Sequence, residues 1–173
     1  MQNIEIKAKV GNIDPLFERA ASLPAVFQWQ RQQIDTYFKV PQGKLKLREE
    51  TGQNAVLISY HRSNVKQPKL SEYQICPTPH AAQLLQVLDA VLPQDLRVEK
   101  QRTLYLWKNV RVHFDRVTHL GDFMELEAVL ESETMANASR DAVHFLLDYF
   151  AISSSDLVDV GYYELLRDQQ TPC

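Results

Sequence analysis

The stretch "FMELEAVL", residues 123–130, has the alternating pattern of a half-buried β-strand. Glu125 and Glu127 are two positions apart, so both carboxylates lie on the same face of such a strand. The opposite face carries the apolar side chains of Met124, Leu126, Ala128 and Leu130. Because two like charges on one strand face repel each other, this face is expected to meet either open water or a cation.

Length and composition indicate one globular domain over residues 1–173. The chain has 173 residues, of which 45% are hydrophobic and 24% are charged, as in ordinary soluble domains. No apolar run reaches the length of a membrane span, and the first ten residues lack the apolar core of a signal peptide. Two cysteines without metal-type spacing fit a reducing, cytoplasmic location. A net charge of -3 argues against general nucleic-acid binding.

The periodicity of the chain predicts many strands and few helices. Period-2 alternation predicts eight strands, at residues 2–10, 25–40, 44–50, 55–62, 69–75, 96–108, 110–117 and 122–130. Helical spacing of apolar residues predicts helices near 14–23, 79–92, 135–150 and 162–167. Most strands follow one another through short turns, which favours an antiparallel sheet.

The charges on the polar faces of these strands are sorted by sign. Four strand faces carry them: Asn3, Glu5 and Lys7; Lys44, Lys46 and Arg48; Lys100 and Arg102; Arg111, His113 and Asp115. Each face alone has a simple interpretation as the solvated side of a half-buried strand. Solvated strands usually mix signs, however, because like charges side by side are unfavourable.

An inward-facing arrangement removes this conflict. If the sheet closes with its charged face inside, basic strands lie across a wet cavity from acidic strands, and the apolar faces pack outward against helices. The predicted fold is therefore α+β, an antiparallel eight-stranded β-barrel with helices packed outside. Such a cavity suits a polyanion bridged to carboxylates by Mg²⁺ or Mn²⁺, which prefer oxygen ligands and phosphates. A triphosphate matches that combination.

Four short motifs, in order along the chain, resemble those of the CYTH family. This family is named for class IV adenylate cyclases and thiamine triphosphatases and belongs to the triphosphate tunnel metalloenzymes. Its ExExK motif resembles "NIEIK" at 3–7, and its basic strand resembles "KLKLRE" at 44–49. Its Lys-x-Arg pair resembles "EKQRTLY" at 99–105, and its acidic end resembles "FDRVTHLGDFMELE" at 114–127. The spacing of the acidic end is more similar to the cyclase branch.

The resemblance implies roles for particular side chains. The implied triphosphate ligands are Lys7, Lys46, Arg48, Arg62, Lys100 and Arg102. Three of these, Lys7, Lys100 and Arg102, are also the implied catalytic residues. The implied ligands of Mg²⁺ or Mn²⁺ are Glu5, Asp115, Glu125 and Glu127. A charged side chain in such a cavity is expected to contribute little to the core.

Some positions depart from the family pattern or take supporting roles. The first glutamate of ExExK is Asn3, whose amide adds no charge to a metal site. A lysine that the family often has in the fourth strand is absent, and His61 or Arg62 is the candidate replacement. Asp35 in "DTYF" is interpreted as a support of the tunnel wall, and Tyr162 as part of a segment that closes the tunnel.

Three functions remain open from the sequence. The first, and the expected one, is a class IV-type adenylate cyclase that converts ATP into cyclic AMP and pyrophosphate. The second is a triphosphatase acting on tripolyphosphate, a nucleoside triphosphate or thiamine triphosphate. The third is a triphosphate- or polyphosphate-binding protein without catalysis, for which Asn3 is the argument. The expected partner is the small triphosphate itself, with no nucleic acid or membrane; a homodimer is left open.

Overall fold

The computed structural model describes residues 2–62, 69–130 and 136–170, and the side chains of residues 3–60, 73–130 and 136–170. Its long strands are β1 (Gln2–Val10), β2 (Val26–Phe38), β3 (Lys44–Glu50), β4 (Ala55–Arg62), β5 (Lys69–Thr78), β6 (Gln94–Trp107), β7 (Val110–Val117) and β8 (Gly121–Val129). A two-residue strand, β9 (Leu157–Val158), follows a short 3-10 turn (Ser154–Asp156). The helices are α1 (Asp14–Ser22), α2 (Ala81–Asp89), α3 (Ala136–Tyr149) and α4 (Tyr162–Gln170).

The strands form one antiparallel sheet in the order β5-β4-β3-β2-β6-β7-β8-β1-β9. Strand β1 pairs with β8 along most of its length and, at its N-terminal end, also with β5, where Glu5 lies opposite Lys69. This second pairing brings together the two ends of the run of eight long strands, so the sheet curls into a barrel. The predicted α+β barrel of antiparallel strands is confirmed.

The strand register places the charged residues on the inner face of the barrel. Directly opposite residues on neighbouring strands share a face. Arg102 lies opposite Asp115 on β7, and Lys7 lies opposite Glu125 on β8. These four side chains are buried or nearly so, as expected for the inside of a barrel.

The outer face of the same strands forms the main hydrophobic core. Alternate residues of β1, β7 and β8 pack against α1 and α3, which contribute Leu16, Ala20, Val143 and Leu146. The strand side of this core includes Ile4, Ile6, Val112, Phe114 and Leu126. A smaller core joins α2 to Phe38 and Leu47. These helices lie outside the barrel, as predicted.

Helix α4 lies at one end of the barrel. Its side chains Tyr162 and Tyr163 are buried against Val98 and Phe123. Val98 and Phe123 lie on the inner face, because Val98 is two positions from Lys100 on β6 and Phe123 is two positions from Glu125 on β8. Tyr162 therefore closes one end of the interior, in agreement with its sequence interpretation. None of the helices in the described segments combines the length and apolar character needed to cross a bilayer.

Candidate functional site

A cavity of about 400 Å³ occupies the barrel interior. That volume is within the roughly 300–1,000 Å³ typical of small-molecule sites. Eight of the residues implied by the sequence line it: Glu5, Lys7, Lys46, Arg48, Lys100, Arg102, Glu125 and Glu127. Asp115 is 0% exposed and lies behind this lining. Arg62 ends β4, but its side chain is outside the described residues, so its role stays a prediction.

Four of the five basic side chains of the cavity come from the two strands that flank β2, and Asp35 of β2 lies between them. Lys46 and Arg48 project from β3, which pairs with β2, and β6 pairs with the other edge of β2. Asp35 accepts hydrogen bonds from Arg48 Nε at 2.7 Å, from Arg48 Nη2 at 2.8 Å and from Lys46 Nζ at 2.7 Å. The wall support inferred from the sequence is thus a buried carboxylate that binds two of the inner cations.

A second buried carboxylate, Asp115, binds the cations of β6 in a similar way. It accepts hydrogen bonds from Arg102 Nε at 2.6 Å and Arg102 Nη2 at 2.5 Å. Tyr162 of α4 donates its hydroxyl proton to Asp115 Oδ2 at 2.7 Å, and Lys100 Nζ lies 3.8 Å from the same oxygen. The family resemblance implies that Asp115 is a metal ligand, whereas the structure places its carboxylate among basic side chains.

The acidic pair of β8 is balanced by protein groups rather than left in repulsion. Glu125 Oε2 lies 2.8 Å from Arg102 Nη2 and 3.4 Å from Lys7 Nζ. Glu127 accepts a hydrogen bond from Asn3 Nδ2 at 2.5 Å and lies 3.1 Å from His113 Nε2. The sequence predicts that this face needs open water or a cation, and cationic side chains of the barrel supply that charge for Glu125. Glu127 has the neutral amide of Asn3, the ring of His113 and, 3.5 Å away, the exposed guanidinium of Arg111.

These neighbours control the protonation of the buried groups. Burial raises the pKa of Glu127, but the hydrogen bond and charge of His113 and the charge of Arg111 outweigh it and bring that pKa to about 2. Burial also raises the pKa of Asp115, yet the charges of Arg102 and Lys100 hold it below its ordinary value. Both carboxylates are consequently ionised at neutral pH.

Lys46 is affected in the opposite direction. Burial, followed by the positive charge of Arg48, lowers its pKa to about 8, although Asp35 partly offsets this. Crowding several cations around one cavity therefore costs free energy in the absence of a ligand. An anion bound in the cavity would relieve that cost.

The donor set beside the acidic pair fits a hard divalent cation. Glu5 lies directly opposite Glu127 in the β1–β8 register. The buried Oδ1 of Asn3 has no hydrogen-bond partner among the described residues. Within those residues, no three histidine, cysteine or acidic side chains are grouped closely enough to enclose a metal ion on their own. Because Mg²⁺ is commonly held by one or two carboxylates together with substrate phosphates and water, Glu5 and Glu127 suit a cation that binds with its substrate.

Part of the cavity lining is apolar and aromatic. The cavity wall includes Trp29, Tyr73, Ile75 and Leu104. Trp29 is half-buried, and the guanidinium carbon of Arg31 lies 4.5 Å from the centre of its ring. Ile75 is 45% exposed. A ligand made of phosphates alone would leave this apolar surface in contact with water. An organic group attached to the phosphates would bury it.

The fold and the charged cavity together describe a triphosphate-binding tunnel. A family model of the CYTH domain matches residues 1–162. The chain belongs to the CYTH domain family. CYTH tunnel enzymes bind triphosphates and are metal-dependent in general, which supports the same chemistry for the cavity described above.

Solved structures share this fold at low sequence identity. PH1012 of Pyrococcus horikoshii OT3 superposes with a TM-score of 0.84 and 19% identity, covering 94% of this chain and 98% of that one. A Vibrio parahaemolyticus protein provisionally named an adenylate cyclase gives a TM-score of 0.77 and 19% identity, covering 95% and 97%. The Schizosaccharomyces pombe RNA triphosphatase Pct1 gives 0.54 and 9%, covering 87% and 84%. No curated protein sequence matches the chain.

Proposed function

We propose that this protein is a metal-dependent enzyme that converts ATP into cyclic AMP and pyrophosphate. The observation that carries the proposal is the convergence of five cationic side chains from three strands on one cavity, beside an acidic pair: Lys7, Lys46, Arg48, Lys100 and Arg102. A triphosphate has the charge and the number of oxygen acceptors to engage such a group, which smaller anions lack.

The basic side chains would hold the β- and γ-phosphates. Arg48 and Arg102 offer planar guanidinium groups that bind phosphate oxygens in a bidentate manner, and Lys7 and Lys100 act as point charges. In cyclisation, the 3′-hydroxyl loses its proton to solvent and its oxygen forms a bond to the α-phosphorus. The bond from the α-phosphorus to the α,β-bridging oxygen breaks, and the electron pair leaves with pyrophosphate. The cations stabilise the charge that develops on this leaving group.

The acidic side would supply the metal ligands. Glu5 and Glu127 are the proposed carboxylate ligands, with Glu125 and the free Oδ1 of Asn3 close to them on the same two strands. These side chains would hold a Mg²⁺ or Mn²⁺ that supplies Lewis-acid stabilisation to the phosphate oxygens. The protein's own contribution is to fix the phosphates and the ribose in reacting distance.

The apolar wall supports ATP over an inorganic tripolyphosphate. Trp29 and Leu104 would contact the base or ribose of a nucleotide while its phosphates reach the cations deeper in the barrel. Burial of this wall by the organic group contributes roughly 25 cal/mol for each Å² of apolar surface removed from water.

A product assay tests the proposal. The protein is incubated with ATP, tripolyphosphate and thiamine triphosphate in turn, each with Mg²⁺ and with Mn²⁺. Cyclic AMP and pyrophosphate, formed in equal amounts from ATP, are the expected products. Orthophosphate from any of the three substrates would instead identify a triphosphatase, and tight binding without product would identify a binding protein.

The affinity for ATP is expected to fall as the pH rises from 7 to 9. The pKa of Lys46 is lowered to about 8, so the side chain is charged below that pH and loses its charge above it. The γ-phosphate is fully ionised over most of this range, so the change reports on the protein. One pH unit above the pKa, affinity should be lower by up to about tenfold. Calorimetric titration in EDTA measures it, and Lys46→Met should bind more weakly at pH 7 and lose part of the pH dependence.

A further inference from the structure

Two buried aspartates bind the cavity arginines through the same edge of the guanidinium. Asp35 accepts from Nε and Nη2 of Arg48, and Asp115 accepts from Nε and Nη2 of Arg102. Each aspartate also contacts a lysine two residues before its arginine, Lys46 and Lys100. The arrangement is repeated on two pairs of strands, β2 with β3 and β6 with β7.

This geometry leaves one end of each guanidinium available. Among the described residues, Nη1 of Arg48 and Nη1 of Arg102 have no hydrogen-bond partner, and both side chains line the cavity. A guanidinium held by two parallel hydrogen bonds cannot change its orientation without breaking at least one of them. The carboxylates therefore fix the direction in which the remaining N–H groups are presented.

Asp115 is poorly placed to bind a metal ion as well. It already accepts two hydrogen bonds from Arg102 and one from Tyr162, and it is completely buried. A cation on its oxygens would have to displace a guanidinium and would lie beside the Lys100 ammonium group, 3.8 Å from Oδ2. The repulsion between such a metal ion and the neighbouring ammonium group would be unfavourable.

We propose that Asp35 and Asp115 are positioning residues, which orient Arg48 and Arg102 so that their Nη1 groups bind a polyphosphate. The inference rests on the proposed function and assigns Asp115 a role different from the metal ligand that the family resemblance implies. Tyr162, through its hydroxyl, holds Asp115 and so ties the position of α4 to the arrangement of the basic side chains.

The test compares Asp35→Asn and Asp115→Asn with Asp14→Asn as a matched control. Asp14 also pairs with an arginine, Arg116, but both lie exposed on the outer surface. In the two inner variants kcat should fall about 10- to 100-fold, since small misplacements of phosphate cost this much. The dissociation constant of ATP in EDTA should stay within about threefold of the parent value or tighten, because one negative charge has left a cation cluster. Asp14→Asn should match the parent in both.

Three further readouts separate positioning from other roles. The preference for ATP over ADP should fall about tenfold in each inner variant, because badly oriented arginines no longer distinguish phosphate number. The Mg²⁺ concentration for half-maximal activity should be unchanged. A tenfold or greater rise in that concentration in Asp115→Asn, with activity restored by excess Mg²⁺, would make Asp115 a metal ligand and overturn the proposal. Parallel losses of ATP affinity and melting temperature would assign a purely structural role and also overturn it.

The test decides the role of the two aspartates whichever reaction the parent protein performs. If the parent releases orthophosphate or makes no product, the proposed function fails, and the ATP-to-ADP preference alone then decides whether the aspartates position the arginines. If Asp115→Asn does not fold, Tyr162→Phe replaces it, since this change removes the hydroxyl and keeps the ring. A severalfold drop in kcat or in the ATP preference with unchanged ATP affinity supports the proposal, and parent-like values of both overturn it.

Discussion

Replacing Glu125 and Glu127 together by glutamine is expected to lower turnover at least a hundredfold. The change keeps the size of both side chains but removes the charge that is proposed to hold the metal. Loss of a few kcal/mol of metal stabilisation in the transition state corresponds to such a factor. The variant should also lose most of the rise in melting temperature that Mg²⁺ or Mn²⁺ produces in the parent. That rise corresponds to about 2.7 kcal/mol at a metal concentration one hundred times the dissociation constant.

The same variant is expected to be less stable than the parent in metal-free buffer. Glu125 interacts with the buried cations Lys7 and Arg102, so a glutamine there leaves both with fewer partners, at about 1–3 kcal/mol. Burial lowers the pKa of His113, so its contact with Glu127 is a hydrogen bond to a neutral ring rather than an ion pair. Because the pKa of Glu127 is lowered from 4.5 to about 2 in the folded protein, its contribution is present above pH 4.5 and is lost as the pH falls through about 2.

Thermal melts with and without each metal measure both effects. Glu99→Gln is the matched control, since Glu99 is an exposed carboxylate on β6 that lies 3.9 Å from the exposed Arg97. The control should keep the full response to metal. An equal metal-induced shift in the parent and in the Glu125→Gln, Glu127→Gln variant would contradict the assignment of the acidic pair to a metal site.

Arg102→Ala is expected to destabilise the protein by about 3–5 kcal/mol, as well as to weaken ATP binding. Asp115 is wholly buried and receives two hydrogen bonds from Arg102, and Glu125 receives a third. Removing one member of a buried ion pair leaves an uncompensated charge, which is costly to this extent. The sequence suggests instead that a charged residue in the cavity matters little to the core.

Removing the partner as well should recover part of this loss. The Arg102→Ala, Asp115→Ala variant is expected to be more stable than the sum of the two single variants by roughly 1–3 kcal/mol. Urea denaturation of the four proteins measures this coupling energy. Strictly additive losses would mean that the contact between Arg102 and Asp115 does not stabilise the fold.

The barrel could be predicted because its determinants are local in the sequence. Alternation in "KLKLRE" and "FMELEAVL" assigns each side chain to a face, and the separation of charge signs between strands indicates that these faces point inward rather than to solvent. The residues that line the cavity follow from the same alternation, which is why eight of the residues implied by the sequence are found there.

The partners of these side chains could not be predicted, because they depend on register between strands. Asp35 meets Arg48 across a hairpin, and Asp115 meets Arg102 across another, yet alternation alone does not say which carboxylate lies beside which cation. The bulge in β2 near Trp29 shifts the register with β6 again. Helix α4 reaches Asp115 from 47 positions away through the Tyr162 hydroxyl, and no local pattern specifies that contact.

Comparing the affinities of ATP, ADP and AMP tests the central claim, that the inner cations bind a triphosphate. Calorimetric titration of each nucleotide into the protein in EDTA, at one salt concentration, excludes turnover and metal. Because a charge-assisted hydrogen bond contributes roughly 1.5–3 kcal/mol, each phosphate removed should weaken binding at least about tenfold, in the order ATP, ADP, AMP. If AMP binds as tightly as ATP, the cavity does not recognise the triphosphate and the account is wrong.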